Sequence, residues 1–170
     1  SDLFFKRANL LKIKKMKNLD IDIVFSIHTF CCFKDIDKAI SSLSKIKSKW
    51  IVINSLFYDG PLDVLIHIRS KENFKNDKNP DSDFNIHSVE RTKKSLIKNG
   101  YKLYKLKKYY PKKKIKRKTK KRGSYTIKTE FDKNTTFSGP VYLPWHFLIA
   151  KRMNWLTQIG RAHVWTPFTP

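Results

Sequence analysis

The residues best able to do chemistry fall in three groups. The first is Ser26, Ile27, His28 and Thr29, which puts an imidazole between two hydroxyls at the end of an apolar run. Such a set can orient a polar substrate through hydrogen bonds. A lone His after a strand is more often a satisfied structural residue than a functional one. The second group is Tyr58, Asp59 and Arg69, in and beyond the turn Tyr58-Asp59-Gly60-Pro61. Loops after strands often carry binding residues, although Asp-Gly is also plain turn chemistry. The third is Lys112, Lys113, Lys114, Lys116 and Arg117, within a basic stretch (111–122) preceded by Tyr109 and Tyr110. Cations beside aromatic rings can track a phosphate backbone and stack a base. The competing reading is a solvated insertion, and Lys acts there as a point charge without the forked geometry of Arg.

No metal site is expected, because His67 and His87 lack ligand spacing to any Cys, Asp or Glu cluster. Cys31 and Cys32 are adjacent and have no distant partner, which reads as two reduced thiols in a cytoplasmic protein. The formal net charge of +23 points towards nucleic acid. Lys greatly outnumbers Arg, however, and Ile, Asn, Phe and Tyr are abundant too. The A/T-rich codons of a low-GC bacterium enrich all of these without selection for binding. A hydrophobic content of 40% excludes disorder throughout. No apolar run is long enough to cross a bilayer, and the amino end is not a signal peptide.

The elements that must position these residues start with Asp20 to Phe57. Asp20 to Ile27 reads as a strand buried on both faces. Asp35 and Asp37 open a helix, with Ile36, Ala39, Ile40, Leu43 and Ile46 on one apolar stripe. Trp50 to Phe57 is a second buried strand. Two such strands joined by a helix make a βαβ unit and a parallel sheet. Ligands of open parallel sheets gather outside the carboxyl ends of the strands, which places Ser26 to Cys32 and Ser55 to Gly60 at the crevice.

The flanking segments are read as follows. Ser1 to Lys17 is the end of a helix packing on the sheet. Leu62 to Ile68 is apolar and too short to assign as helix or strand. Lys71 to Asp83 is a polar loop. Ser88 caps a helix that stops at Asn99-Gly100. Tyr101 to Tyr110 is a strand, Gly123 to Thr129 an alternating strand, and His146 to Arg152 a last strand. Trp145 and Phe147 read as core. The tail from Ile159 to Pro167 back-translates to the start of a common sequencing adapter when TGA is read as tryptophan at Trp165. Residues 158–170 are therefore expected to be a non-native tail that adds little to the core.

Asp22 to Phe30 (an acidic residue, an apolar strand and a small residue) resembles the fourth-strand motif of class I S-adenosylmethionine-dependent methyltransferases. The helix, Gly100 and Tyr101 resemble that family's step before its closing hairpin. Arg122-Gly123-Ser124-Tyr125-Thr126, Phe137-Ser138-Gly139-Pro140 and Leu143-Pro144-Trp145-His146-Phe147 are similar to an uncharacterised bacterial subgroup. The resemblance covers Asp20 to Arg152 and implies the carboxyl-terminal part of the domain over residues 1–157. The fold it implies is α/β, a truncated Rossmann-like sheet with a parallel βαβ core closed by an antiparallel carboxyl-terminal hairpin (Gly123 to Arg152). It implies S-adenosyl-L-methionine as cofactor beside Ser26, Ile27, His28 and Thr29, with Tyr58, Asp59 and Arg69 towards an unidentified methyl acceptor. The glycine-rich loop and the acidic ribose-binding strand end of the family are absent, and no Gly-x-Gly occurs. The chain as it stands is thus expected to be inactive. Methyl transfer needs alignment and a desolvated pocket more than an acid or base, so no catalytic residue is assigned. The alternative is a basic nucleic-acid-binding module using Lys112 to Arg122. A third reading, a dinucleotide-binding oxidoreductase, does not need the antiparallel closing strand.

Overall fold

The computed structural model describes residues 9–13, 21–68, 82–117, 124–130 and 133–153. Arg69, residues 118–122 of the basic stretch and the tail 158–170 lie outside them. The strands are β1 (Ile23–Ile27), β2 (Trp50–Tyr58), β3 (Val64–Ile68), β4 (Ser82–Ser88), β5 (Tyr101–Lys108), β6 (Ser124–Lys128), β7 (Asn134–Ser138), β8 (Val141–Tyr142) and β9 (Trp145–Arg152). The helices are α1 (Ile36–Ser44) and α2 (Val89–Lys98), with short 3-10 turns at Leu10–Lys12 and Phe30–Cys32.

Capping residues fix both helices. The Asp35 carboxylate accepts from the Asp37 and Lys38 amides at 3.0 and 3.3 Å. Ser88 Oγ accepts from the Arg91 amide at 3.2 Å. Gly100, at φ +82°, ends α2 in the left-handed region that glycine reaches without strain. Their apolar stripes then cover one face of the main sheet. Ile36, Ile40, Leu43 and Leu96 meet Ile51, Ile53, Tyr101 and Leu148 there, in a core that also takes in Phe30. Each such aliphatic side chain contributes roughly 1.5–3 kcal/mol when fully buried. The Tyr101 hydroxyl, carried into this core, donates to the Ser48 carbonyl at 2.8 Å.

The main sheet runs β3-β4-β2-β9-β5, with β1 also on β2. β1 is parallel to β2, from Ile23 opposite Trp50 to Ile27 opposite Asn54. β9 is antiparallel to both β2 and β5 and lies between them. β5 therefore runs parallel to β2. The expected neighbours β1 and β2 and the antiparallel β9 are all present, but the sheet is mixed and mostly antiparallel rather than a parallel core. β4 continues where β1 stops, pairing in parallel with β2 only at Phe57–His87 and Tyr58–Ser88.

Four expectations need correction. β1 is not buried on both faces: Ile23, Phe25 and Ile27 are 47%, 63% and 59% exposed. Both helices lie on the other side of the sheet; on the face shared by Phe25, Val52 and Ile149, Leu56 and Trp145 pack with Cys31 and Leu143 at the carboxyl end, and the rest has no helix over it among the described residues. The expected hairpin from Gly123 to Arg152 does not form. β9 takes β5 as its antiparallel partner, and β6, β7 and β8 make a separate three-stranded sheet between them in sequence. The end of the polar loop at Ser82 and Asp83 already belongs to β4, which pairs antiparallel with β3. Alternating Phe84, Ile86 and Ser88 against Asn85 and His87 was its signal. The described part of the first segment, Leu10–Lys12, packs on α1 as a 3-10 turn, where the Leu10 carbonyl accepts from Ser42 Oγ at 2.6 Å.

Candidate functional site

The carboxyl ends of β1 and β2 bring together part of the predicted set. His28 follows β1 at φ +56°, a backbone conformation that costs a non-glycine residue free energy. Its amide donates to the Asn54 carbonyl at 2.9 Å, and its own carbonyl accepts the Cys31 thiol at 3.4 Å. The imidazole, exposed to solvent, stacks on Trp145 with ring centroids 4.2 Å apart. Trp145 is 8% exposed, in keeping with its reading as core. Thr29 Oγ1 donates back to the Ile27 carbonyl at 3.0 Å. Ser26 is opposite Ile53, so its buried side chain lies on the helix-covered face, away from Ile27. Of the four residues, His28 and Thr29 remain at the strand end, and Ile27 points from the open face.

A layer missed in the sequence closes one side of this region. β4 lies against the Phe30–Cys32 turn. The Asn85 amide donates to the Cys31 carbonyl at 3.0 Å, and His87 Nε2 sits 3.0 Å from the Phe30 carbonyl. Burial holds the His87 imidazole below its ordinary pKa, so it serves as a neutral structural ring. Burial also pushes the Cys31 thiol up to about 12, which leaves it protonated and unreactive.

Tyr58 and Asp59 stand exposed beyond β2. Gly60 lies close under the Tyr58 ring, where an added Cβ would come within 2.4 Å and push the exposed ring aside. His146, the second residue of β9, is buried with Nδ1 2.9 Å from the Pro144 carbonyl. Its pKa is lowered by burial first, against the Pro144 carbonyl bond that raises it, with Lys108 adding to the lowering and Asp59 opposing. Asn54 Nδ2 donates to the His146 carbonyl at 3.1 Å and ties β2 to β9 behind the strand ends.

Among the described residues, no glycine turn or free helix amino end stands beside these strand ends. A charged cofactor needs close backbone approach at a glycine turn and a free helix amino end. Gly60 lies under Tyr58, while Gly100 and Gly139 sit in open turns. The amino end of α1 is filled by Asp35. That of α2 is filled by Asp63, whose carboxylate accepts from the Ser88 amide at 2.6 Å and pairs with Arg91. Among the described residues no group of three His, Cys, Asp or Glu side chains could hold a metal ion, and no helix is long and apolar enough to cross a membrane.

No family model matches the chain, and neither does any curated protein sequence. Its fold is similar to that of a SAM-dependent methyltransferase from Methanosarcina mazei, at 9% identity and a TM-score of 0.49, over 88% of this chain and 66% of that one. An S-adenosylmethionine-dependent methyltransferase from Mesorhizobium loti matches at 12% identity and a TM-score of 0.49, over 86% of this chain and 68% of that one. Magnesium protoporphyrin IX methyltransferase from Synechocystis PCC 6803, with bound SAH, matches at 12% identity and a TM-score of 0.42, over 85% and 49%. The chain thus spans between 49% and 68% of the length of these three structures.

Proposed function

We propose that this chain is the carboxyl-terminal part of a class I S-adenosylmethionine-dependent methyltransferase, inactive on its own. The observation that carries this reading is the placement of β9, antiparallel between the two mutually parallel strands β2 and β5. That closing strand is the feature the sequence resemblance implies, and a dinucleotide-binding sheet has no need of it. The exposure of Ile23, Phe25 and Ile27 supports the same reading, since a βαβ sheet is normally covered on both sides. A preceding strand-loop-helix segment would both cover Phe25 and bring the glycine turn that the strand ends lack. His28 and Thr29 would then line the cofactor side of the crevice. Tyr58 and Asp59 would stand towards the methyl acceptor, whose class this reading leaves open.

Titration calorimetry tests it with two proteins, the chain as given and one extended by the reading frame upstream of Ser1. The chain alone should give no measurable heat with S-adenosylmethionine, because one wall leaves the cofactor mostly solvated and binding must still offset its lost freedom of motion. The extended protein should bind. Tight binding by the chain alone, or an upstream frame without a glycine-rich strand-to-helix turn, would sink the proposal.

A further inference from the structure

The β6-β7-β8 sheet presents an aromatic face that neither the methyltransferase reading nor the core accounts for. Tyr125 is opposite Phe137, and Phe137 is opposite Tyr142, so the three rings share one face. The ring centroids step 5.8 Å from Tyr125 to Phe137 and 5.8 Å on to Tyr142. On this face Tyr142 and Ile127 are 37% and 48% exposed and Tyr125 and Phe137 are half-buried, whereas Thr126 and Thr136 on the reverse are buried. A monomeric core would turn such rings inwards. Cations flank the row at both ends. The Arg117 guanidinium lies 5.3 Å from the Tyr125 centroid, and Lys108 Nζ lies 5.8 Å from that of Tyr142. Lys108 and Lys133 also sit over Tyr110, at 5.4 and 5.1 Å.

The basic stretch is built onto this sheet rather than hanging from it. The Thr126 amide donates to the Ile115 carbonyl at 3.0 Å, and the Ile115 amide donates to Thr126 Oγ1 at 2.9 Å. Asn134 Nδ2 donates to the Pro111 carbonyl at 2.9 Å. Lys112, Lys113, Lys114, Lys116 and Arg117, all of them exposed, are thereby held along the margin of this sheet, with Arg117 against Tyr125. No acidic residue occurs between Glu90 and Glu130 to neutralise them. Codon bias raises the number of lysines, but it does not set Arg117, Lys108 and Lys133 over aromatic rings.

We propose that this face is a docking surface for single-stranded nucleic acid. Unpaired bases would stack on Tyr125, Phe137 and Tyr142, and the phosphates would lie along Lys112 to Arg117. Stacked aromatics on an open sheet with basic margins suit single strands, whose bases are free to splay. A duplex hides its bases and would meet the lysines alone. This inference does not rest on the methyltransferase reading.

Fluorescence anisotropy with the full chain tests it, using labelled twelve-nucleotide RNA and DNA, each as single strand and as duplex, over a salt series. Either single strand should bind more tightly than its duplex. Tyr142→Ala and Phe137→Ala should each weaken single-strand binding at least about fivefold, the loss of one stacked base. Tyr142 lies on the two-residue strand β8, where its removal leaves the main sheet intact. Tyr125→Phe loses only the hydroxyl bond to the Gly139 carbonyl and should bind as the parent does. Lys112→Ala, Lys113→Ala and Lys114→Ala together should reduce the slope of log K against log salt by about two. Unchanged affinity in both alanine variants of the rings, or equal affinity for duplex, would overturn the proposal. So would binding to phosphatidylserine vesicles with no binding to either single strand, which would assign the face to membranes.

Discussion

Replacing Phe25 and Leu148 in separate variants measures directly whether the main sheet is covered on one side. Leu148 is fully buried on the helix side, in the strand between β2 and β5. Leu148→Ala leaves a cavity under α1 and α2, which costs about 3 kcal/mol, within the usual range of about 2–5. For a chain of this size each kcal/mol lowers Tm by about 2–4 °C, so the expected fall is about 6–12 °C. Phe25 is 63% exposed on the opposite side. It forfeits at most about a third of what a buried Phe contributes, or about 1 kcal/mol. Phe25→Thr, which keeps a β-branched residue in the strand, should lower Tm by no more than about 2–4 °C. Thermal melts followed by circular dichroism, with urea titrations to check that m is unchanged, give both numbers. Equal losses in the two variants would mean that the face of Phe25 is covered and that the one-sided sheet is wrong. In a protein extended upstream, the proposed function makes the opposite forecast, with Phe25→Thr now as costly as Leu148→Ala.

Two further outcomes follow from the buried polar groups. Burial holds His87 below its ordinary pKa of 6.5, so as pH falls through 6.5 the unfolded chain takes up a proton before the folded one does. Stability should be flat above that point and decline below it, down towards the folded pKa. His87→Gln should shrink that decline while His146, also lowered by burial, keeps part of it. Urea midpoints from about pH 8 to about pH 5 measure this, and an identical slope in the variant would refute it. The two adjacent cysteines should differ in reactivity. Cys32 is exposed and Cys31 buried, so thiol titration of the folded chain should find one fast group and a second only on denaturation. Two fast groups would show that the Phe30–Cys32 turn does not hold Cys31 in.

Local chemistry made much of the fold legible. Asp35 and Ser88 announced both helix starts, Gly100 announced a stop, and the runs at Trp50 and Tyr101 announced strands. What the sequence hid is non-local. A β-branched apolar run reads the same whether one face or two are covered, so Ile23, Phe25 and Ile27 were placed inside. β4 was hidden because Asn85 and His87, polar residues in a strand, are buried by their bonds to the carbonyls of Cys31 and Phe30. The candidate site was legible as a place more than as a set of residues. Topology located the strand ends, but only the alternation of β1 shows that Ser26 and Ile27 leave by opposite faces. The stacking of His28 on Trp145 joins residues far apart in sequence, and nothing near either one signals it.

The two insertions leave the main sheet at the same end. The β3-β4 hairpin leaves from the carboxyl end of β2. The β6-β7-β8 sheet leaves from the carboxyl end of β5, which runs parallel to β2, and returns into β9 at Trp145, opposite Leu56. Both additions therefore stand at the end where an open sheet gathers its ligands. Among the described residues the other end carries the short connections at Lys45–Lys49 and Asn99–Gly100. Lys108 spans the two parts, since it ends β5 and lies over Tyr110 and Tyr142. His146, whose pKa Lys108 helps to lower, begins β9 beside Trp145, on which His28 stacks. A polyanion seated on the aromatic face would thus bring its charge within reach of the same strand ends. If it does, adding single-stranded nucleic acid should raise the pKa of His146, because an anion beside Lys108 offsets the charge that lowers it. A titration of the imidazole signals by NMR, with and without the oligonucleotide, would show the shift. An unmoved His146 would separate the basic surface from the crevice and leave the two as independent features of the fold.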